Sequence, residues 1–249
     1  MPKEKLVVIL GPTATGKSRC GIELAKRFRG EIISGDSMLV YRQMNIGTAK
    51  PSEEELQSVP HHLVNILNPD SSYSVADFQQ QAAETISGIT ERGNLPILVG
   101  GTGLYIKALL EDYQFSEVEE KPELRQQLEA FASEQGTGKL FEWLEKEDPA
   151  AAARLHPNDI RRVVRALETA LSGDRVSQLK REELKYDAVV FGLFMDRDFL
   201  YERINRRVDR MLEEGLEEEV RSLLKAGVTV SAGSADGQKV AAVAACKVD

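Results

Sequence analysis

The chain has 249 residues, 42% of them hydrophobic, which is enough to bury a core in one domain or in one domain with an insertion. Its formal net charge of -8 argues against nonspecific binding to nucleic acid or to anionic membranes, so any contact with nucleic acid requires a local basic face. Two cysteines make neither a disulfide framework nor a metal set, and no apolar run approaches the ~20 residues that span a bilayer. We therefore expect a cytoplasmic protein that makes no contact with a membrane.

The first element is a strand followed by a phosphate-binding loop and a helix. The apolar run 6–10 leads into Gly-Pro-Thr-Ala-Thr-Gly-Lys-Ser, and a helical segment covers 19–28. Such a loop curls so that successive amide groups point into one cavity, the lysine adds a mobile cation, and the hydroxyl of Ser18 is a candidate ligand for Mg²⁺. This pattern predicts a diphosphate or triphosphate site, which we call the P-loop. Its residues are Gly11, Pro12, Thr13, Ala14, Thr15, Gly16, Lys17 and Ser18.

Two further strands end in polar residues. The strand 31–34 is followed by Gly35, Asp36 and Ser37, and the strand 95–99 is followed by Gly-Gly-Thr-Gly with Thr102 as its hydroxyl. Between them, 75–92 has the apolar period of a crossover helix. This alternation predicts an α/β fold that resembles P-loop NTPases, with a parallel sheet flanked by helices. Ligands bind beyond the carboxyl ends of such strands, so the polar residues should converge with the P-loop on one cleft.

The pattern changes to amphipathic helices after about residue 113, which predicts a helical insertion. Asn158 or Asp159 can cap a helix that runs to residue 171. The outer side of this helix carries Arg161 and Arg165, with Arg162 beside them; it is either a contact for an anionic partner or a solvated face paired with acids such as Glu168. We divide the chain into a core at 1–113, the insertion at 114–187, a return strand and helix at 188–227, and an atypical tail at 228–249.

The return segment brings three more arginines towards the predicted cleft. A strand at 188–194 precedes a single helix at 199–224, and we expect Leu200, Ile204, Val208 and Met211 to form its buried stripe. On the adjacent stripe, Arg203, Arg207 and Arg210 either reach phosphate oxygens or pair with nearby glutamates on the surface.

Asp36 has three possible roles on this reading. A hydrolysing P-loop ATPase usually has an apolar strand that ends in an acid, but the strand 95–99 ends in Gly-Gly-Thr. Asp36 is the acid at a strand end that lies near the loop in sequence. It can act as a magnesium ligand, act as a base beside a leaving group, or cap the turn that follows it.

Taken together, these segments resemble the tRNA dimethylallyltransferase family over about 6–227. The matching segments, in chain order, are Gly11 to Ser18, Ile32 to Ser37, Val40 to Arg42, Met44 to Pro51, Pro60 to His62, Tyr73 to Phe78, Leu98 to Tyr105, and His156 to Val163. The resemblance implies that a monomer transfers a dimethylallyl group from dimethylallyl diphosphate to N6 of the adenosine 3′-adjacent to the anticodon in tRNA, with Mg²⁺ as the cofactor. The loop, typical of ATP-binding and other nucleotide-binding proteins, would then hold a prenyl diphosphate.

The resemblance also implies roles for single residues. Asp36 would be the general base, and the Thr102 hydroxyl would hydrogen-bond the acceptor or the bridging oxygen. Arg207 and Thr13 would contact the donor, with Arg203 a weaker candidate. Contacts to the tRNA anticodon loop would come from Asp36, Ser37, Met38, Leu39 and Thr102, and from Ile160, Arg161, Arg162, Val163 and Val164.

Alternatives remain open at this point. A small-molecule P-loop kinase would consume ATP, and an adenylate isopentenyltransferase would prenylate free adenine nucleotides. Residues 228–249 also depart from the family, which would continue with a Gln-Gly-Ile-Gly-Tyr-Lys-Glu-like stretch and further helices. We therefore expect a chain that keeps the diphosphate pocket and binds tRNA less well than a longer relative, or an inactive tRNA-binding form.

Overall fold

The computed structural model describes residues 3–113, 122–172 and 184–228. These residues form two compact units, a core unit and a helical unit that lies within 113–182. The predicted tail falls outside the described residues apart from Val228. No helix in the described ranges combines the length and the apolar character needed to cross a membrane.

The core unit is built on a parallel sheet. Its strands, within the described residues, are β1 (Lys5–Leu10), β2 (Gly30–Ser34), β3 (His61–His62), β4 (Leu95–Gly100) and β5 (Asp187–Gly192), in the order β3-β2-β4-β1-β5 with every neighbouring pair parallel. The predicted α/β fold with a parallel sheet flanked by helices is confirmed. Central strands are buried on both faces and need continuous apolar runs, which explains the sequences of β1 and β4.

The sheet has helices on both faces, and the core unit contains six helices within the described residues. They are α1 (Lys17–Phe28), α2 (Glu53–Ser58), α3 (Val75–Glu91), α4 (Gly103–Leu110), α9 (Arg197–Glu213) and α10 (Leu216–Lys225). The crossover helix α3 begins with a capping box between Ser74 and Asp77 and buries Phe78 and Ile86 against the sheet. On the opposite face, α1 packs Ile22 against β4 residues such as Ile97.

A buried carboxylate joins β2 to its neighbours away from the P-loop. Glu31 accepts hydrogen bonds from Arg92 (Nη2, 2.8 Å) and Asn94 (Nδ2, 2.7 Å), and it contacts His62 Nε2 at 2.6 Å. These contacts, with that of Arg92 the largest, lower the pKa of Glu31 from 4.5 to about 2. The charged form of Glu31 is therefore strongly favoured in the folded protein.

The helical unit has its own core. It contains α5 (Pro122–Gln135), α6 (Thr137–Glu147), α7 (Pro149–Ala152) and α8 (Ile160–Leu171). Asp159 caps α8 by accepting the N–H of Arg162, as one of the two predicted caps. Leu167 packs in this core with Leu128 and Leu140.

The return segment differs from prediction in two ways. The predicted single helix 199–224 is two helices, because Gly215 adopts a positive φ of 96° and ends the first one. The expected buried stripe is also wrong, since α9 has no buried residue and Val208 is 45% exposed. The stripe instead faces a cleft, which Ile204, Val208 and Met211 line.

Candidate active site

The P-loop connects the end of β1 to the start of α1. Gly11 has φ 152°, and a Cβ on it would lie 2.5 Å from the carbonyl oxygen of Leu193, so a larger residue does not fit. Gly16 has φ 95°, a left-handed conformation that favours glycine. Lys17 Nζ donates to the Pro12 carbonyl oxygen at 2.7 Å, which holds the lysine over the loop. Glycine is therefore needed at these two positions of the P-loop, and the sequence supplies it at both.

The turn after β2 lies directly beside the end of β4. Gly35 N–H donates to Val99 O at 2.8 Å, and a methyl group on Gly100 would overlap the backbone of Gly35. This close approach lets Ser37 N–H donate to Thr102 Oγ1 at 3.2 Å. The two predicted polar ends of β2 and β4 are thus joined by a hydrogen bond.

Asp36 caps its own turn with one carboxylate oxygen and leaves the other available. Met38 N–H donates to Asp36 Oδ1 at 2.9 Å, so the turn-capping role is present. The Oδ2 atom accepts no hydrogen bond from the described residues. A half-buried carboxylate that keeps one oxygen for a ligand can cap the turn and act as a base at the same time.

Two arginines of α9 contact the P-loop. Arg207 Nη1 donates to Thr13 Oγ1 at 3.1 Å, and Arg203 Nε donates to the Ala14 carbonyl oxygen at 2.8 Å. Surface pairing with glutamates, the alternative for this helix, is seen for Arg206, which bonds Glu202. Arg203 and Arg207 thus bring guanidinium groups to the predicted phosphate site.

The charges at this site favour an anionic ligand. Burial lowers the pKa of Lys17, and Asp36 opposes this shift while Arg207 adds to it. Burial also lowers the pKa of Arg207, again opposed by Asp36. Two cations thus interact with one carboxylate and with each other, so a polyanion that enters would be attracted to both cations.

These groups line one cleft with a cavity of about 590 Å³. Its polar lining includes P-loop residues with Asp36, Thr102 and Arg207. Its apolar lining comes from the turn after β2, from 44–49, and from α9 and α10. The residues of this apolar half are Met38, Leu39, Met44, Ala49, Ile204, Val208, Met211, Leu216, Val220 and Leu223. The cleft is therefore suited to a ligand with a phosphate end and a hydrocarbon end.

A family model described as IPP transferase matches residues 39–245. The tRNA dimethylallyltransferase of Halalkalibacterium halodurans is 52% identical over 231 residues, which cover 91% of this chain and 74% of that protein. The chain belongs to the tRNA dimethylallyltransferase family.

Solved structures of family members share this fold. The full-length tRNA isopentenylpyrophosphate transferase from Bacillus halodurans matches with a TM-score of 0.63 and 51% identity, over 91% of this chain and 72% of that one. A eukaryotic dimethylallyltransferase described as acting on tRNA matches with a TM-score of 0.77 and 33% identity, over 90% of this chain and 56% of that one.

The residues present fit the Mg²⁺ that the family resemblance implies. Ser18 and Asp36 both line the cleft, and the Ser18 hydroxyl makes no hydrogen bond with the described residues. Within the described ranges no three His, Cys, Asp or Glu side chains are grouped to hold a metal ion. One hydroxyl and one carboxylate suit Mg²⁺, which keeps several waters and takes further ligands from substrate phosphates.

The predicted RNA contacts in the helical unit separate into exposed and buried residues. Val163 and Val164 are buried, so their side chains pack in the core of this unit and only the exposed residues at the start of α8 can meet RNA directly. Arg162 pairs with Asp159, whereas Arg161 forms no hydrogen bond or ion pair with the described residues. Arg161 is therefore the available cation of this helix start.

Glu168 pairs with Arg165, the second predicted arginine on the outer side of α8. It is fully buried and accepts from Arg165 Nη1 at 2.6 Å and Arg125 Nε at 3.0 Å. The predicted pairing of Arg165 with an acid is therefore present. Removing one partner of such a pair is costly because a buried charge is left behind.

Sequence reasoning missed one part of the cleft. The sequence places the segment 44–49 in a family motif without a role, and it predicts α10 as the end of a longer helix. In the structure Glu219 of α10 contacts this segment, and both line the cleft. An acid on an amphipathic helix gives no sequence signal for such a contact.

Proposed function

We propose that the cleft binds dimethylallyl diphosphate and transfers its dimethylallyl group to N6 of the adenosine 3′-adjacent to the anticodon in tRNA. The observation that carries this proposal is the composition of the cleft. Lys17 and Arg207 lie at its phosphate end, Asp36 and Thr102 lie at the neighbouring strand ends, and most of its remaining lining residues are apolar.

The P-loop end would stabilise the leaving diphosphate. An allylic carbon–oxygen bond ionises when the charge that develops on the departing oxygen is neutralised. Lys17 is held beside this position by the Pro12 carbonyl, and Arg207 by Thr13, so both cations are in place before the donor binds. Mg²⁺, held through the Ser18 hydroxyl together with the donor phosphates, would add further positive charge at the same end.

The apolar half would receive the dimethylallyl group. Its lining from α9 and the turn after β2 offers methionine and branched aliphatic side chains, which exclude water from the allylic cation. A hydrocarbon group bound there would cover the partly exposed apolar stripe of α9.

Asp36 and Thr102 would act on the acceptor. Adenine N6 is a poor nucleophile because its lone pair is shared with the ring, so removal of its proton as the new bond forms assists attack. Asp36 Oδ2 is the available acceptor for that proton. Because Thr102 Oγ1 accepts the Ser37 N–H, its own O–H remains free to donate into the cleft.

The helical unit would supply contacts to the anticodon loop. An adenine in that loop must be splayed out of its stack to enter a pocket, at a cost of a few kcal/mol. Contacts to the surrounding nucleotides offset this cost, and Arg161 is an exposed cation suited to a phosphate.

Incubation with labelled dimethylallyl diphosphate and Mg²⁺ tests the proposal. The acceptors are unmodified tRNA, the same tRNA with guanosine at the target position, and AMP. Label on the unmodified tRNA alone is expected. Label on AMP would instead indicate an adenylate isopentenyltransferase, and ATP consumption without label transfer would indicate a kinase. Binding of tRNA with no transfer would indicate the inactive form.

A further inference from the structure

A carboxylate of α10 holds three successive backbone amides of the cleft lining. Glu219 Oε2 accepts from the N–H groups of Asn45 (2.8 Å) and Ile46 (2.9 Å), and Oε1 accepts from Gly47 N–H at 3.0 Å. Convergent amides of this kind form an anion-binding concavity, here filled by a side chain of the same protein. Glu219 itself lines the cleft.

The segment that Glu219 contacts, residues 44–50, is fixed in shape on its other side as well; we call it the wall loop. Lys50 Nζ donates to the Tyr41 carbonyl oxygen at 2.6 Å and to Asn65 Oδ1 at 2.6 Å. Burial lowers the pKa of Lys50 to about 8, and the charge of Glu219 opposes that shift. The wall loop is thus held to the core by a lysine and to α10 by a glutamate.

The wall loop and α10 are also in close contact where they meet. A Cβ built on Gly47 would lie 3.1 Å from Leu216 Cδ1, and Leu216 is buried. The wall loop contributes Met44 and Ala49 to the apolar half of the cleft, and α10 contributes three further apolar residues. The separation between these two apolar surfaces therefore depends on the Glu219 contacts.

We propose that Glu219 is a positioning residue that determines donor specificity. By joining the wall loop to α10, it fixes the separation of these two apolar surfaces and thereby sets the preference for a dimethylallyl chain over a longer allylic chain. This inference rests on the proposed function, because it assumes that the alkenyl group occupies the apolar half.

The test compares the affinities of two donors for the full chain by titration calorimetry with Mg²⁺. The donors are dimethylallyl diphosphate and geranyl diphosphate, which share a diphosphate and differ in chain length. Glu219→Gln replaces one acceptor oxygen with an NH₂ group that opposes a backbone N–H, so it loosens the wall loop. Glu218→Gln is the matched control, since Glu218 is exposed on the same helix and carries the same charge.

We expect Glu219→Gln to reduce the preference for dimethylallyl diphosphate, given as the ratio of the two dissociation constants, by about tenfold, the effect of one lost hydrogen bond. Glu218→Gln should keep the wild-type ratio within about twofold. The ratio compares two ligands on the same folded molecules, so partial unfolding of a variant lowers the binding stoichiometry without changing the ratio.

Gly47→Ala changes the contact between the wall loop and α10 without altering Glu219. It keeps all three amides and inserts a methyl group between the wall loop and α10, so it should also change the ratio. Wild-type ratios in both Glu219→Gln and Gly47→Ala would overturn the specificity role and leave the proposed function intact. A wild-type chain that binds neither donor would overturn the proposed function, and this inference with it.

Discussion

Replacing Asp36 by asparagine should separate its two roles. Asparagine Oδ1 can still accept the Met38 N–H that Asp36 accepts at 2.9 Å, so the turn after β2 keeps its cap. The second position becomes an NH₂ group, which cannot take a proton from adenine N6. Asp36→Ala removes the cap and the base together.

The expected magnitudes distinguish these variants. A general base contributes about 10²- to 10⁴-fold to the rate, or roughly 3–5 kcal/mol of the barrier. The hydrogen bond to Met38 contributes on the order of 1 kcal/mol to stability. Asp36→Asn should therefore lower kcat by at least about 100-fold with nearly unchanged unfolding free energy. Asp36→Ala should show a similar loss of kcat and in addition lose about 1 kcal/mol of stability.

The affinity for the donor should change when the negative charge of Asp36 is removed. Asp36 raises the pKa of Lys17, and its own charge opposes a diphosphate. Without Asp36 the donor should bind at least as tightly near pH 7. As the pH rises, donor affinity falls when Lys17 loses its proton. Without the charge of Asp36 the pKa of Lys17 is lower, so this fall in donor affinity should begin at a lower pH in the variant than in the wild type.

Single-turnover transfer from labelled donor to tRNA measures the chemical step, and calorimetry measures donor affinity. Asp36→Asn with wild-type single-turnover rates would refute the role of Asp36 as the base. A large loss of donor affinity in that variant would instead place Asp36 chiefly in metal or donor binding.

Three further predictions concern charged side chains. Arg207→Gln should weaken donor affinity by about 10-fold or more, since it removes a charged hydrogen-bond donor, whereas Arg206→Gln, on the outer side of the same helix, should stay within about twofold of the wild type by calorimetry. Glu31, whose pKa is lowered from 4.5 to about 2 in the folded protein, should stabilise the fold above pH 4.5 and lose this contribution as the pH falls towards 2. The unfolding free energy of Glu31→Gln should therefore depend less on pH between 4.5 and 2 than that of the wild type, and an equal dependence would contradict this role. Arg161→Ala should reduce the slope of log tRNA affinity against log salt concentration by about one, with an unchanged melting temperature. Arg165→Ala should instead lower the melting temperature, because it removes a partner of the buried Glu168 carboxylate; the opposite pattern would place Arg165 in the RNA contact.

The parts of the site that follow from local sequence could be predicted. The P-loop is one continuous segment whose glycine spacing fixes its backbone, and parallel strands align their carboxyl ends, so the approach of Asp36 and Thr102 followed from topology. The role of Arg207 needed the family resemblance, because its contact with Thr13 spans 194 residues of sequence.

The remaining parts depend on contacts that sequence periodicity does not report. An apolar stripe shows which side of α9 is hydrophobic, but not whether protein or ligand covers it, so the cleft-lining stripe was predicted as buried. Gly215 ends α9 in a left-handed conformation, yet the apolar period continues across it into α10. Glu219 contacts backbone amides 174 residues away, and backbone amides carry no sequence signature.

Donor binding to the P-loop is best measured in a crystal structure of the chain with dimethylallyl diphosphate and Mg²⁺, without acceptor. We expect the diphosphate to lie in the P-loop within hydrogen-bond distance of Lys17 and Arg207. We also expect the allylic carbon beside Asp36 and Thr102, and the methyl groups among the apolar residues of α9 and α10. Donor density elsewhere, with the P-loop left empty or filled only by ATP under competition, would contradict this binding mode.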